Sequence, residues 1–349
     1  MAKQEFVQLA QTFDPAKHMI AGAFMSEKLD GERALWDGGI SRGRLAAEVP
    51  YANTVKDHRL KTPPVATGLW SRTGKVIHAP DWFLDKLPNF PLDGELWMGR
   101  KNWQQLSSTV SQHDPDERWH MVEYKIIDSP SWKALFTPRT IKVRNDYSYD
   151  VNPPTWAQTS GIGVRDHWTF ELVQRFLSKR FPTEGQVSLI SQIELPFNHD
   201  KAVAEVARFS EQVLAEEGEG VVIRKRTGLW LPERSWDILK HKPWFDSEGT
   251  VRGYYAGKET DKGSKLLGKM GALEIEWQGA VFKISGFTDD ERRFEKLAQT
   301  VWAEIHPGEY CEEWIINPTF PRGSEVTFKY RELSDDGVPK EARYLRPAK

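Results

Sequence analysis

Lys28 stands two residues before an acid-glycine pair, in the stretch Glu27-Lys28-Leu29-Asp30-Gly31-Glu32-Arg33. Apolar residues flank this charged core, Met25 before it and Ala34-Leu35-Trp36 after it. The pattern predicts a strand, a turn and a second strand, with Lys28 at a strand end where a scaffold can aim it. The chemistry open to it there is that of a nucleophile. Four further charges fall in apolar, strand-like runs: Glu95 within Leu92 to Gly99, Glu219 ahead of Val221-Val222-Ile223, and Lys240 and Lys242 in Leu239-Lys240-His241-Lys242. Taken singly, each reads as a solvated strand position. Five together are harder to place that way, because an unpaired charge in an apolar pattern is costly and strands can bring their ends to one cleft.

The residue types suit phosphorus chemistry. A lysine attacks phosphorus only as the free amine, and its ordinary pKa is about 10.4. Neighbouring cations or a metal ion lower that value. Lys240 and Lys242 suit the neutralisation of a polyphosphate. Glu95 and Glu219 suit Mg²⁺ or a ribose hydroxyl, since Mg²⁺ takes oxygen ligands and is usually shared with substrate phosphates. No G-x-x-x-x-G-K-[ST] stretch occurs, which argues against a P-loop cradle.

The elements that must position these residues follow in order. Ser71-Arg72-Thr73-Gly74-Lys75 is a polar turn, and residues 37 to 70 read as connecting structure. A short helix is expected from Asp81 to Leu87 with Asp81 as cap, and strands from Leu92 to Gly99 and Met121 to Asp128. The proline-bearing segment 129 to 165 reads as a long surface excursion. Helices are expected at Trp168 to Phe181 and at Lys201 to Glu217, the second opening at Asp200, with a strand at Val187 to Leu195 between them. Pro243-Trp244-Phe245-Asp246 reads as a linker. Short strands then dominate: Thr250 to Tyr255, Ala272 to Trp277, Val281 to Ile284 and Glu325 to Tyr330. That tail, about 100 residues, has the size of a small all-β barrel. The expected class is α+β, with domains at 1–243 and 244–349.

With 349 residues, 39% hydrophobic and 28% charged, the chain fits a soluble globular protein with a sizeable core. The net charge of -2 gives no whole-chain basic signal, although local charge decides nucleic-acid binding. Most of the fifteen tryptophans are expected in cores. Cys311 is alone, which excludes an internal disulfide and a cysteine-rich zinc site and suits a reducing compartment. No signal-peptide core or membrane-length apolar run occurs, so a cytoplasmic protein without membrane attachment is expected. His241 and Cys311 have no partners at metal-ligand spacing and read as structural.

Lys28 to Arg33 matches the K-x-D-G-x-R signature of the covalent nucleotidyltransferases, the superfamily of DNA ligases, RNA ligases and capping enzymes. The remaining elements follow in family order: Ser71 to Lys75 resembles S-R-x-G, Asp93-Gly94-Glu95 matches D-G-E, Glu219 to Lys225 matches E-G-x-x-x-R-K, and Leu239 to Lys242 matches L-K-x-K. The chain most resembles the small ATP-dependent DNA ligases of bacteria and viruses. Met270 to Ile275, Val281 to Phe287 and Asp289 to Arg292 resemble strands and a turn of the ligase OB domain.

The resemblance implies an N-terminal nucleotidyltransferase (adenylation) domain with antiparallel sheets and flanking helices, followed by an OB-fold. It implies sealing of 5′-phosphate/3′-hydroxyl nicks in duplex DNA through a lysyl-AMP on Lys28 and a DNA-adenylate. ATP would be the AMP donor, with Mg²⁺, or Mn²⁺ in its place, and the family expectation is a monomer. Glu27, Lys28 and Leu29 would line the nucleotide, with Arg33 and Glu95 at the ribose and Lys240 and Lys242 at the phosphates. Arg72 would meet phosphate, nucleotide or nick, as would Arg234. Glu95 and Glu219 would hold the metal. Many relatives carry an aromatic residue before the acid of the adenine-binding strand; here Ile127 takes that place, and nearby Tyr124 is a second candidate for the stacking face. Ser41-Arg42-Gly43-Arg44 is an alternative arginine turn, and Arg343 and Arg346 are candidates for the last basic element. Lys258, Lys262 and Lys265 lie in a loop expected to meet the DNA backbone. An RNA ligase, a capping-type enzyme and a non-catalytic nucleic-acid-binding protein are the alternatives. Retention of Lys28 together with its acids and lysines argues against the last.

Overall fold

The computed structural model describes residues 7–53, 61–135, 139–142, 148–151, 156, 161–260, 263–334 and 336–348. The chain divides into two compact units, Met1–Lys242 and Pro243–Lys349.

The first unit contains strands β1 (Leu9–Thr12), β2 (Phe24–Glu27), β3 (Glu32–Asp37), β4 (Leu69–Ser71), β5 (Pro91–Trp97), β6 (Glu123–Asp128), β7 (Arg139–Lys142), β8 (Ser148–Val151), β9 (Val187–Leu189), β10 (Ile193–Glu194), β11 (Val221–Arg224) and β12 (Arg234–His241). Its helices are α1 (Asp81–Leu84), α2 (Trp103–Val110), α3 (Trp132–Leu135), α4 (Phe170–Leu177) and α5 (His199–Ala215). One five-stranded sheet has the order β1-β12-β11-β2-β10 and a second the order β4-β3-β5-β6-β9, while β7 and β8 form a hairpin. In the first sheet β1 runs parallel to β12, so a strand from the start of the unit lies beside one from its end.

Period-two alternation sorts the residues of each sheet between its two faces. In the first sheet Met25, Ile223 and Leu239 pack with Ala202, Val206 and Val213 of α5. The intervening Ser26, Val222 and Lys240 stand in register with one another on the opposite face. In the second sheet Ala34, Trp36, Leu92, Leu96, Tyr124 and Ile126 enter one core. The residues between them, Arg33, Asp93, Glu95 and Lys125, point the other way, with Arg33, Glu95 and Lys125 in one row.

Several elements differ from the sequence expectation. The strand expected at Val187 to Leu195 is two strands in different sheets, because its halves pair with β6 and with β2. Asn198, rather than Asp200, caps α5, its side chain accepting from the Lys201 N–H at 2.9 Å. The helix at Asp81 is a single turn capped by Pro80. Residues 37 to 70 are more than a connection: Ala46, Val49, Tyr51, Ala52 and Ala66 join Leu35 and Trp70 in a third core. The excursion at 129 to 165 holds α3 and the β7–β8 hairpin and lies partly outside the described residues.

The second unit contains β13 (Phe245–Ala256), β14 (Met270–Trp277), β15 (Ala280–Ile284), α6 (Leu297–Ile305), β16 (Glu325–Tyr330), β17 (Glu332–Leu333), β18 (Pro339–Lys340) and β19 (Arg343–Pro347). The first of these begins inside the expected linker. The main sheet has the order β15-β14-β13-β16-β19. A parallel bridge from Ser285 to Arg343 joins its two edges, which removes the open sheet edge. The core holds Val251, Leu273, Ile275 and Phe328. The helix α6, absent from the all-β expectation, buries only Gln299 and Ala303, while Leu297, Val301 and Ile305, at i, i+4 and i+8, are exposed. Cys311 is fully buried and its thiol is pushed up to about 12 by that burial, which keeps it unreactive. No helix among the described residues is long and apolar enough to cross a membrane.

Candidate functional site

The stretch around Lys28 carries the chain from one sheet to the other. β2 ends at Glu27 in the first sheet and β3 begins at Glu32 in the second, so residues 28 to 31 form a crossover between sheets. The crossover is tight. A Cβ on Gly31 would stand 2.4 Å from the Leu96 carbonyl oxygen and 2.6 Å from Cγ of Glu95, so only glycine fits against β5 there. The Lys28 N–H donates to the Gly220 carbonyl at 2.8 Å, which fixes the lysine beside the start of β11.

At that point the expected charges meet. The Lys28 ammonium is ion-paired with the Glu219 carboxylate, and Lys242 pairs with the other oxygen of the same carboxylate. The Glu219 side chain is only 7% exposed, so this is a desolvated cluster of one anion and two cations. Lys240 stands in the adjacent row with Ser26 and Val222. The cationic excess has the sign that a bound polyphosphate requires.

The second sheet supplies the facing charges. Asp93 is fully buried and accepts two bonds from Arg33, Nε to Oδ1 at 2.6 Å and Nη2 to Oδ2 at 2.7 Å. Glu95 lies beside Arg33 across the strand pair. Burial raises the Glu95 carboxyl to about 7 against the opposing pull of Arg33 and Lys28. Asp128 pairs with Arg224 of β11, and both are buried, so this ion pair ties the two sheets together. Burial raises the Asp128 carboxyl and lowers the Arg224 guanidinium from their ordinary values.

The remaining predicted residues are placed as follows. Tyr124 offers no stacking face: it is fully buried, and its hydroxyl is within bonding distance of the carbonyls of Ala34 and Leu92. A Cβ on Gly94 would lie 2.7 Å from the Tyr124 ring, so that ring packs onto the sheet from the core side. Ile127 is half-buried at an irregularity in the β5–β6 pairing, and its carbonyl accepts from Gln174 at 3.0 Å. Glu27 accepts a two-pronged bond from Arg100 at 2.9 Å on each oxygen. Leu29 is half-buried in the crossover.

Arg72 begins the Ser71–Lys75 turn, and its charge acts on Glu32 at the end of the lysine crossover. The alternative turn is engaged elsewhere: Arg42 bonds Asp85 at 2.7 Å and Asp81 at 2.6 Å. Arg234 opens β12, six residues before Lys240, and β12 bulges between Ser235 and Leu239 in its pairing with β1. It donates to the Ala10 carbonyl at 2.7 Å and does not join the lysine cluster. In the second unit Lys258 is exposed and Lys265 pairs with Asp289 at 3.0 Å. Lys262 lies outside the described residues. Asp93 and Arg224 fall within the matched D-G-E and E-G-x-x-x-R-K stretches and Asp128 ends an expected strand, but no role was expected of them. Trp230 was not singled out, and its indole N–H donates to Asp93 Oδ2 at 2.7 Å.

Similarities to known proteins agree with this layout. Residues 263–347 match the family described as DNA ligase OB-like domain. A DNA ligase of Haemophilus influenzae is 26% identical over 331 residues, covering 95% of this chain and 88% of that protein. A solved structure of a Lig E DNA ligase superposes with a TM-score of 0.63 at 25% identity, covering 98% of both chains. Over nearly its whole length the chain is similar to DNA ligases, and its second unit resembles their OB-like domain.

Proposed function

We propose that this protein seals nicks in duplex DNA at the expense of ATP, through an AMP carried on Lys28. One observation carries the reading: Lys28 and Lys242, both partly exposed, converge on the one buried carboxylate of Glu219. Those are the nucleophile, a carboxylate and a phosphate-binding lysine, drawn from three separate stretches of sequence. As a free amine, Lys28 Nζ forms a bond to the α-phosphorus of ATP while the bond to the pyrophosphate oxygen breaks, and the lysine proton leaves to solvent. The AMP then moves to a 5′-phosphate at a nick, restoring Lys28. Attack by the adjacent 3′-hydroxyl closes the strand and frees AMP. Lys240 and Lys242 neutralise phosphate oxygens, Arg33 holds the ribose, and Arg72 meets phosphate at the turn beside the crossover. Ile127 takes one side of the adenine. Lys258 and Lys265 of the second unit carry charge suited to the DNA backbone, and their contribution weakens as salt rises.

Mg²⁺ fits this donor set: it needs only one or two carboxylates besides substrate phosphates, and Glu219 and Glu95 supply them. No cluster of three metal-ligating side chains occurs among the described residues. Bound there, it would neutralise charge on the departing pyrophosphate.

Incubation with ATP, Mg²⁺ and matched nicked DNA and RNA duplexes tests the reading. The DNA nick is sealed and the all-RNA nick is not; sealing confined to RNA would overturn it in favour of an RNA ligase.

The position of Glu95 predicts a pH dependence. Its carboxyl, raised to about 7, is mostly protonated at pH 6 and cannot then serve as an anion. Lysyl-AMP formation therefore rises as Glu95 ionises across neutrality, and Glu95→Gln removes that limb of the profile while lowering the rate. The stability effect has the opposite sense. Folded Glu95 holds its proton more tightly than the unfolded chain, so its contribution is present below about pH 4.5 and declines as pH rises towards 7. Single-turnover adenylation from pH 5.5 to 8.5 checks the first claim, and an unchanged profile in Glu95→Gln would remove Glu95 from it.

A further inference from the structure

We infer that Trp230 is a positioning residue for the nucleotide ribose, acting through Asp93 on Arg33. The inference rests on the assignment of Arg33 to the ribose and names what sets that arginine's orientation. Arg33 spends Nε and Nη2 on Asp93, a two-pronged contact that holds the guanidinium in the plane of the carboxylate. Its remaining N–H groups are then aimed by Asp93. The carboxylate can rotate about its own side-chain bond, and Arg33 alone does not stop it, because the pair can turn together. Trp230 supplies the third point, donating to Oδ2 at 2.7 Å.

Three features make the indole a fixed reference. It is 8% exposed and packs in a core with Val7, Leu35 and Trp70. Its loop joins β11 to β12 and is held on both sides of the indole, by Gln8 Nε2 donating to the Leu229 carbonyl at 2.9 Å and by the Leu9 N–H donating to the Glu233 carbonyl at 2.9 Å. The indole is also neutral. Its removal leaves the charge balance of Arg33 with Asp93 and Arg224 with Asp128 unchanged, so the loss falls on orientation rather than ionisation. The loop connects β11, which Glu219 precedes, to β12, which carries Lys240, so this bond registers the phosphate end of the site against the ribose end.

The test is adenylation kinetics of Trp230→Phe with ATP, 2′-deoxyATP and 3′-deoxyATP. Phenylalanine keeps an aromatic ring and removes the donor. Replacement of Trp230 by benzothienylalanine, which keeps the bicyclic shape and lacks the N–H, covers the case in which the phenylalanine variant fails to fold. The wild type prefers ATP to the analogue lacking the hydroxyl that Arg33 holds. The variant raises the KM for ATP by about three- to tenfold, the worth of one hydrogen bond. It leaves kcat within about twofold and hardly alters the KM for that analogue, so the preference collapses. An equal loss for ATP and both analogues, or no loss, overturns the inference and makes Trp230 a packing residue. Arg33→Lys separates the two claims. If it abolishes the preference and Trp230→Phe retains it, the Trp230 inference falls alone. If the wild type shows no preference, or Arg33→Lys keeps it, the ribose assignment falls and takes the inference with it.

Discussion

Lys28→Ala abolishes transfer of label from α-labelled ATP to the protein. The expected drop is to background, because the proposal places the AMP on Lys28 alone. Lys242 shares the Glu219 carboxylate, but it follows β12 and does not stand on the crossover. The same variant still seals a nick supplied with AMP already on its 5′-phosphate, since that step breaks no bond to lysine. The two assays together separate loss of the nucleophile from loss of the fold. Label retained by the variant would mean that another residue carries the AMP. The fold itself should tolerate the change, as Glu219 keeps Lys242 as its counter-ion.

Arg224→Ala has the largest expected effect on stability, about 3–5 kcal/mol. Arg224 and Asp128 are 4% and 2% exposed and belong to different sheets. Removing the guanidinium leaves a carboxylate buried without its counter-charge, and the cost is mostly that of the stranded partner. The desolvation already shows in the raised Asp128 carboxyl. Replacing both, with Arg224→Met and Asp128→Leu, recovers most of the loss, because two apolar side chains of similar size need no pairing. Urea unfolding of the three proteins checks both parts. A single replacement costing less than about 1 kcal/mol, the scale of an exposed ion pair, would show that the pair is not buried in solution.

The contrast between these two sites explains what could be read in advance. The crossover lysine and its carboxylate were legible because the chemistry needs unusual residue types, a lysine and acids set into apolar strands. Their spacing is local, within Lys28 to Arg33 or Glu219 to Lys225. The ties that hold them in place were not legible. Trp230 and Asp93 are 137 residues apart, and a tryptophan in a loop gives no periodic signal. The hydrogen-bond acceptor alone gives it meaning. Tyr124 failed for a related reason. Aromaticity near an acid suggests a stacking face, but the strand's alternation sends its side chain to the core, and Ile127 lies at an irregularity that plain alternation does not foresee. The segment at Val187 to Leu195 shows the same limit at the level of the fold. Its alternating pattern, with Val187, Leu189, Ile193 and Leu195 in one phase, conceals a change of sheet, because only the partners of its two halves differ.

The parallel pairing of β1 with β12 has a consequence for how the protein is made. Lys28 and Glu219 are 191 residues apart, and the sheet that brings them together joins the first strand of the unit to its last. Contacts of that span are late, since the chain between them must be closed before they reward the closure. At about 5–20 residues per second of synthesis, Lys28 is added to the chain about 10–40 s before Glu219 exists. During that interval it is an ordinary surface amine on an unfinished sheet. Nascent chains and truncations that end before β11 are therefore inert towards ATP, and the reactive lysine is the last property this unit acquires.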